Sequence, residues 1–298
     1  MRRVAKLRTK IQDSGAGFRY KHALGQNFIY DEELLEKLAA MSGAGPEEDV
    51  IEIGAGSGML TKHLAGHAHH VYALELDKSL KPYLMARLLG QNNVSLRFDD
   101  ALRVDFSKWI KEEGGGGSPL RVAANLPYYI TSEILTKLYR TIPELTGIAV
   151  MLQAEAADKL TAAAGEEGCN PLGIALAWRY ELTKTLDVPA ACFEPQPRVD
   201  SRFLALERRK ETPCPVSDEA LLLRVIRGGF AMRRKTMANN LASLFGVRKE
   251  KCNGWLTEAE LPENVRAEQM DIRAFCRLTD VIADDIGNFR CVKEVPNT

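Results

Sequence analysis

The sequence has no long apolar run, no closely paired cysteines and no net charge. No segment reaches the roughly 18 consecutive apolar residues that a membrane-spanning helix needs, and the first residues lack the apolar stretch of a secretory signal. We therefore expect a cytoplasmic protein without a membrane partner. Its six cysteines include no CxxC pair, which argues against a zinc ribbon and indicates reduced thiols in a reducing compartment.

The amino-acid composition is that of an ordinary globular protein. It has 298 residues, of which 45% are hydrophobic and 27% are charged, so it can form one large domain and a smaller one. Its 40 basic and 40 acidic residues cancel. The total charge therefore gives no indication of a nucleic-acid partner.

The basic residues, however, are concentrated in an N-terminal arm before Asn27 and in a second cluster, each of which contains a single acidic residue. Either cluster alone fits a solvated surface as well as a phosphate-binding one, but two clusters in a neutral chain favour phosphate binding. A transit peptide is a less favoured explanation of the arm, because Gly15 and Gly17 interrupt an amphipathic helix. The second cluster consists of Arg224, Arg227, Arg233, Arg234, Lys235, Arg248, Lys249 and Lys251.

Apolar periodicity alternates between strand-like and helix-like along the first two thirds of the chain. Such alternation is typical of a mostly parallel sheet with helices on both faces, and the last two strands indicate an antiparallel edge. The predicted strands are residues 50–53, 71–74, 94–98, 120–124, 148–152, 178–186 and 203–206, and the first predicted helices are residues 32–41, one that starts at residue 59, and residues 79–89.

The alternation ends after Glu207, where "ERRKETPCPVSD" has the charge and proline content of a linker. The residues beyond it are helical in pattern, beginning at a predicted N-cap, Ser217. The sequence therefore predicts a basic arm at residues 1–20, an α/β domain at residues 21–207 and a small all-α domain at residues 208–298. The segment "EEGGGGSP" within the α/β domain is predicted to be a surface loop.

The stretch "VIEIGAGSGMLT" passes from an apolar strand through three glycines into a helix. Glycines there let the backbone approach a ligand at the carboxyl end of a central strand. The spacing of Gly54, Gly56 and Gly58 is GxGxG, not the GxGxxG of dinucleotide sites, so we expect no pyrophosphate. Glu75 ends the next strand about 20 residues later, where an acid can bind both ribose hydroxyls. A tight turn alone would explain the glycines but not this acid, so we predict a ligand that contains ribose.

S-adenosylmethionine has the required chemistry, because it carries adenosine without phosphate and a sulfonium methyl that can be transferred. Two acids follow the next strand, and we expect one of them to accept a hydrogen bond from the adenine amine. Asp100, beside the small Ala101, is the preferred candidate, and Asp99 is expected to be a solvated turn residue.

The segment "NLPYY" places an amide and two aromatic rings at the end of a strand. The side-chain oxygen of Asn125 and the carbonyl of Leu126 can accept the two hydrogens of an adenine amine and aim its lone pair at the methyl. Pro127 would stiffen the loop, and Tyr128 offers a face for an extruded base. No strong general base is needed, since the proton can leave after the attack. The alternative, a helix-entry turn with tyrosines in the core, is preferred for Tyr129.

Six segments together resemble the small-subunit ribosomal RNA adenine dimethyltransferases of the kasugamycin-resistance type. The resemblance implies a class I S-adenosylmethionine-dependent methyltransferase with a Rossmann-like, seven-stranded, mostly parallel sheet and a small all-α C-terminal domain. The implied reaction transfers methyls to the N6 amines of two adjacent adenines near the 3′ end of 16S RNA in ribosome biogenesis. The implied partner is that RNA within the assembling small subunit, and we expect a monomer. The segments are "HALGQNFIYD", "EIGAGSG", "NLPYYIT", "MLQAEAADKL", "FEPQPRVDS" and "RRKTMANNL".

The resemblance also implies roles for individual residues. The "GQNFI" segment is expected to close over the cofactor, and "NLPY" to form the target-base site. Two departures, "LGQNFI" for FGQNFL and "CNPLGIAL" for a YGxLS-like segment, affect local contacts and not the chemistry. The implied cofactor-binding residues are Gln26, Asn27, Ile29, Gly54, Gly56, Glu75, Asp100 and Asn125, and the implied catalytic residues are Asn125, Leu126, Pro127 and Tyr128.

Three alternatives stay open. Two lie in the same enzyme class, namely methyltransferases of large-subunit RNA that confer macrolide resistance and adenine methyltransferases of DNA; "FEPQPRVDS" and the basic "RRKT" helix favour the small subunit over both. The third is an RNA-binding assembly or transcription factor without turnover, which need not keep the glycine loop or "NLPY". Phe193 either helps to seat the flipped base or belongs to a proline turn that anchors the last strands.

Four histidines lie close together in the sequence and are candidate metal ligands. His63 and His67 are four residues apart, and His69 and His70 follow. A metal site would need further ligands on the same face, but no nearby Glu or Cys completes a set, and Gly66 weakens the helix. We therefore expect surface histidines and no metal.

Overall fold

The computed structural model describes residue 21, residues 25–126 and residues 130–292, with side chains up to residue 286. The predicted arm at residues 1–20, and with it Pro127, Tyr128 and Tyr129, lies outside the described residues. None of the described helices is both long and apolar enough to cross a membrane.

The chain divides into two compact units. The first comprises the chain up to Ala157 together with Leu182–Arg208, and the second comprises Asp158–Glu181 and the chain from Arg209 onward. The last crossing between the units follows Arg208, next to the predicted boundary at residue 207. Residues 158–181, which the sequence pattern assigned to the α/β domain, are grouped with the helical unit.

The first unit contains the strands of the α/β pattern, apart from the first two residues of β7, and most of its helices. Its strands are β1 (Phe28–Ile29), β2 (Asp49–Ile53), β3 (His70–Glu75), β4 (Val94–Phe98), β5 (Leu120–Asn125), β6 (Gly147–Gln153), β7 (Tyr180–Val188), β8 (Phe193–Glu194) and β9 (Ser201–Arg208). Its helices are α1 (Glu32–Met41), α2 (Met59–His67), α3 (Lys81–Arg87), α4 (Phe106–Glu112) and α5 (Thr131–Thr141), and α6 (Ala154–Thr161) leads into the second unit.

Seven strands form one sheet in the order β4-β3-β2-β5-β6-β9-β7. The pairs β2 with β3, β2 with β5, β3 with β4, and β5 with β6 are parallel, whereas β6 and β9 are antiparallel. The predicted mostly parallel sheet with an antiparallel edge is therefore confirmed. Every residue of the central strand β2 is buried, as expected for a strand that is covered on both faces. The carboxyl ends of β2, β3, β4 and β5 meet at one edge of the sheet.

A second, two-stranded sheet fixes the segment that follows Asn27. In it β1 and β8 are antiparallel, with Phe28 opposite Glu194 and Ile29 opposite Phe193. Phe193 is 5% exposed and packs in a core cluster with Ile29. Of the two interpretations of Phe193, its burial supports the structural anchor.

The second unit is an all-helical bundle around its own apolar core. Its helices are α7 (Pro171–Arg179), α8 (Glu219–Gly229), α9 (Met237–Phe245), α10 (Lys249–Glu258) and α11 (Ile272–Val292). Helix α8 begins after Asp218, whose side chain accepts from the Leu221 N–H at 2.9 Å. The predicted cap, Ser217, is thus one residue too early. The core includes Trp178, Leu222, Leu241, Leu256 and Phe275.

Helix α7 replaces the start of a predicted strand. The sequence pattern gave strand for residues 178–186, whereas β7 begins only at Tyr180. Asn170 caps α7 by accepting from the Gly173 N–H at 3.0 Å, and Pro171 occupies the first turn. Both are ordinary helix-start signals. The sequence pattern does not separate this helix from the strand, because the apolar run from Ile174 continues without a break into β7.

One expectation about the cysteines is wrong. Cys214, in the linker after β9, and Cys276, on α11, form a disulfide across 62 residues of sequence. No sequence spacing indicated this pair, because the fold brings the linker back against the last helix. Cys169 and Cys252 are buried free thiols, and burial raises the pKa of both.

An ion cluster around the buried Arg121 lies at the edge of the sheet opposite the glycine loop. Arg121 of β5 donates to both carboxylate oxygens of Glu48 at 2.9 Å and to those of Glu207 at 3.0 and 3.1 Å. It also donates to the Ser42 carbonyl at 2.8 Å. The guanidinium is thus held on every side, and it fills the space beside Gly147 at the start of β6.

We predict that Gly147→Ala destabilises the fold. A Cβ there would lie 2.6 Å from Nη1 of Arg121 and 3.1 Å from the Leu206 carbonyl oxygen, and the pinned guanidinium cannot move away. The free energy of unfolding in urea should fall by about 1 to 3 kcal/mol. Gly117→Ala is the control, since a Cβ at Gly117 meets nothing within 4 Å. Equal stability of the two variants would contradict the prediction.

Candidate active site

A cleft at the carboxyl ends of the parallel strands gathers the residues that the sequence singled out. It encloses about 1130 Å³ of space, which includes its open mouth. Pro127 and Tyr128, the remaining two candidates, are not among the described residues. The predicted residues that line this one cleft are Gln26, Asn27, Ile29, Gly54, Gly56, Glu75, Asp100, Asn125 and Leu126.

The glycine loop is shaped by left-handed backbone that disfavours other residues. Gly54 and Gly56 have φ of +82° and +59°. A Cβ at Gly56 would lie 2.7 Å from Cε1 of Phe28. The loop is bonded to the neighbouring strand, because the Gly54 and Ala55 N–H groups both donate to the Leu74 carbonyl. The backbone is thus both close-packed and fixed where a ligand would meet it.

Glu75 lies buried at the end of β3 beside this loop. Its Oε2 accepts from the Gly56 N–H and its Oε1 from the Asp77 N–H, each at 2.7 Å. Burial raises the pKa of Glu75 above its usual value, against the opposing effect of these hydrogen bonds. A carboxylate oxygen can accept more than one hydrogen bond. Glu75 can therefore still receive two hydroxyl groups from a ligand.

Asp99 and Asp100 both line the cleft and differ in their partners. Asp99 accepts from the Asp100 N–H at 2.9 Å and from Arg97 at 3.1 Å, and these bonds lower its pKa. Asp100 accepts from the Leu102 N–H at 2.9 Å. Lys137 of α5 steadies this turn by donating to the Ala101 carbonyl at 2.8 Å. The preference for Asp100 over Asp99 as a ligand of adenine stays a prediction.

Asn125 ends β5 and points its amide nitrogen at the N-terminal segment. Its Nδ2 donates to the backbone carbonyl of Asn27 at 3.2 Å. Since an asparagine amide has a donor end and an acceptor end, this contact turns Oδ1 away from Asn27. The amide oxygen is then able to accept a hydrogen from a ligand, and that role of Asn125 stays a prediction.

Sequence reasoning missed a role for Glu52. This acid in the apolar strand β2 lines the cleft, is 1% exposed, and its Oε2 has no hydrogen-bond partner among the described residues. Burial raises the pKa of Glu52 to about 8. An acid inside an otherwise apolar central strand is the signal that could have identified it.

Asp77 was missed as well. It is buried two residues after β3, and its carboxylate accepts from Gln26, Lys21 and Ser79. The Gln26 side chain, predicted to contact the cofactor, uses Nε2 for Asp77 at 2.8 Å and accepts the Lys21 N–H at Oε1, also at 2.8 Å. Gln26 therefore lines the cleft while its side chain binds protein.

The histidines have acidic neighbours that the sequence analysis did not find. His63 contacts Glu32 at 2.7 Å and Glu36 at 2.8 Å, and His67 contacts Glu36 at 2.7 Å. These contacts form because α1 packs beside α2, which brings Glu32 and Glu36 next to the two histidines. Within the ranges that the structure describes, no group of three or more His, Cys, Asp or Glu is arranged to hold a metal ion.

The environment of Glu52 predicts a pH dependence of stability. The folded state holds the Glu52 proton more tightly than the unfolded chain does. The stabilisation of the folded state by this proton is therefore fully present below pH 4.5 and is lost as the pH rises to about 8. Glu52→Gln should flatten this part of the curve of unfolding free energy against pH, measured with urea. The exposed Glu47→Gln serves as control. A Glu52→Gln curve parallel to the native one would contradict the assignment.

Known proteins resemble this chain over most of its length. The model of the family described as "Ribosomal RNA adenine dimethylase" matches residues 17–284. A "Ribosomal RNA small subunit methyltransferase A" of Geobacillus sp. is 38% identical over 89% of this chain and 92% of the relative. A protein of the same name from Oceanobacillus iheyensis is 39% identical over 88% and 90%.

Solved structures share the fold. A dimethyladenosine transferase from Plasmodium falciparum aligns with a TM-score of 0.71 at 22% identity, covering 87% of this chain and 98% of that one. The 23S rRNA methyltransferase ErmE aligns with a TM-score of 0.62 at 22% identity, covering 85% and 98%. At 22% sequence identity, these two alignments show that the fold is shared and nothing more. The family match and the sequence relatives carry the assignment: this chain belongs to the ribosomal RNA adenine dimethylase family.

Proposed function

We propose that this chain is an S-adenosylmethionine-dependent adenine dimethyltransferase of small-subunit ribosomal RNA. It transfers methyls to the N6 amines of two adjacent adenines near the 3′ end of 16S RNA during ribosome biogenesis. One observation carries the proposal: the buried Glu75 carboxylate and the oriented Asn125 amide line the same cleft, beside a glycine loop. That cleft therefore has both a ribose-binding group and a group that can hold an amine.

The residues of the cleft fit the cofactor. Glu75 would bind the ribose hydroxyls and Asp100 the adenine amine, while Gly54 and Gly56 give backbone access. The carboxyl of Glu52, which has an oxygen without a hydrogen-bond partner among the described residues, can accept a hydrogen bond from an ammonium group of the ligand even when it is protonated. The cofactor supplies a methyl on a positively charged sulfur.

Asn125 acts on the target adenine by orientation. Its Oδ1 and the Leu126 carbonyl would accept the two amine hydrogens, which aims the nitrogen lone pair at the methyl. The nitrogen gains positive charge as it attacks, and the proton then leaves to water, so the site needs no strong general base. Tyr128 is proposed to stack on the flipped base.

The second unit offers a surface for RNA phosphates. Two members of the basic cluster are engaged within the unit, since Arg224 lies 4.9 Å from the centre of the Phe245 ring and Lys251 pairs with Asp285. The buried Asn240 shapes the turn before α9 by donating to the Gly229 carbonyl at 2.6 Å. The other members are exposed, and their side chains make no hydrogen bond or ion pair with described residues; they are Arg227, Arg233, Arg234, Lys235, Arg248 and Lys249.

We propose that this surface binds folded RNA in the assembling small subunit, with the enzyme acting as a monomer in the cytoplasm. A net charge of zero means that attraction is local to this surface, so binding should weaken as salt rises. Large-subunit RNA is the second candidate substrate. The names of the curated relatives favour the small subunit.

The test is transfer of labelled methyl from S-adenosylmethionine to unmethylated small subunits, to large subunits and to DNA. We expect dimethyladenine in small-subunit RNA alone, and a fall of about a hundredfold or more with Asn125→Ala, because the amine is no longer oriented. The exposed Asn92→Ala is the matched control and should retain native transfer.

Other outcomes would change the assignment. Label in large subunits or in DNA would identify large-subunit RNA or DNA as the substrate in place of small-subunit RNA. Binding of S-adenosylmethionine with no transfer to any of the three would make the chain a binding factor and would contradict the proposal.

A further inference from the structure

Asp77 is the centre of a set of hydrogen bonds that the predicted chemistry does not use. Its side chain is 2% exposed, and Oδ1 accepts from Lys21 Nζ and Ser79 Oγ, each at 2.6 Å. Its Oδ2 accepts from Gln26 Nε2 at 2.8 Å. Burial alone would raise the pKa of Asp77, but its bonds with Lys21, Ser79 and Gln26 lower it to about 2. Asp77 is therefore an anion at neutral pH.

Gln26 connects the Asp77 carboxylate to the N-terminal segment. Both ends of its side-chain amide are engaged, one with Asp77 and the other with the Lys21 N–H. Gln26 immediately precedes Asn27, and Phe28 follows in β1, which is paired with β8. Residues 26–28 are thus held on one side by Asp77 and on the other by a strand pair.

The group held between these two anchors is the backbone carbonyl of Asn27. It accepts Nδ2 of Asn125 at 3.2 Å. An asparagine amide that turned by half a circle would exchange its oxygen and nitrogen with little change in shape, so only hydrogen bonds determine its orientation. A carbonyl at this position excludes the turned form, because two acceptors would then face each other.

We propose that Asp77 and Gln26 are positioning residues for methyl transfer, which hold the Asn27 carbonyl so that the Asn125 amide keeps its oxygen toward the target amine. The inference rests on the proposed function of Asn125. Neither residue needs to touch the target base. If the anchor is lost, Asn27 shifts, and the amide of Asn125 can turn its nitrogen toward an amine that needs an acceptor.

The contact can be broken and restored by exchanging its two partners. Asp77→Asn replaces the acceptor Oδ2 with a donor that faces the Gln26 nitrogen, while the other oxygen still caps Ser79. Gln26→Glu places two carboxylates together. The double variant, Asp77→Asn with Gln26→Glu, restores one hydrogen bond with donor and acceptor exchanged. Asp105→Asn is the control, since Asp105 also caps a helical turn but accepts from Lys108 at 3.0 Å.

The first measurement is the side-chain amide resonance of Asn125 in the free protein, identified by its loss in Asn125→Ala. We expect each single variant to shift or broaden this resonance, and the double variant and Asp105→Asn to keep it near its native position. This readout is independent of activity. An unchanged resonance in both single variants would overturn the inference.

The second measurement separates kcat for methyl transfer from the Kd for S-adenosylmethionine. Each single variant should lower kcat at least about tenfold, since a small misplacement of an orienting group is costly. The Kd should stay within about threefold of native in Asp77→Asn, which lies outside the lining of the cleft, and the double variant should recover most of the rate. A loss confined to Kd, or no recovery, would overturn the inference. If the native protein transfers no methyl while the resonance responds as expected, the proposed function fails, and what stands is that Asp77 and Gln26 hold the orientation of the Asn125 amide.

Discussion

The site depends on one contact, in which the buried Glu75 carboxylate accepts the Gly56 and Asp77 N–H groups. It joins the glycine loop after β2 to the turn after β3. The parallel register of these strands, with Ile53 beside Leu74, brings the acid next to the loop. Because both donors belong to the backbone, the position of the Glu75 carboxylate and the shape of the cleft are fixed together.

Three acids at this edge of the sheet have different environments and therefore different charges. Burial raises the pKa of Glu52 to about 8, so this acid is mostly protonated at neutral pH. Glu75 has two backbone donors that oppose its burial. Asp77, with Lys21 and Gln26 as partners, stays ionised. The cleft can thus hold several carboxyl groups, because their proton occupancy differs.

Much of this architecture could be predicted from local sequence. The periodicity of apolar residues indicates strands and helices, and the GxGxG spacing indicates a loop with left-handed backbone. Contacts between distant residues could not be predicted. β1 and β8 have two residues each, which is too few for a pattern. The bond of Gln26 with Asp77 spans 51 residues and the disulfide spans 62. The acids beside His63 were missed for the same reason, since packing of α1 on α2 unites them.

The central claim is that this cleft binds the adenosyl group through Glu75. It is tested most directly by calorimetric titration of S-adenosylmethionine into the native protein and Glu75→Gln, with Glu113→Gln as the control. Glutamine keeps the size but has only one acceptor oxygen for two backbone donors and two hydroxyls. The account predicts binding weakened by about tenfold or more in Glu75→Gln alone. Equal affinity of the native protein and Glu75→Gln would contradict it.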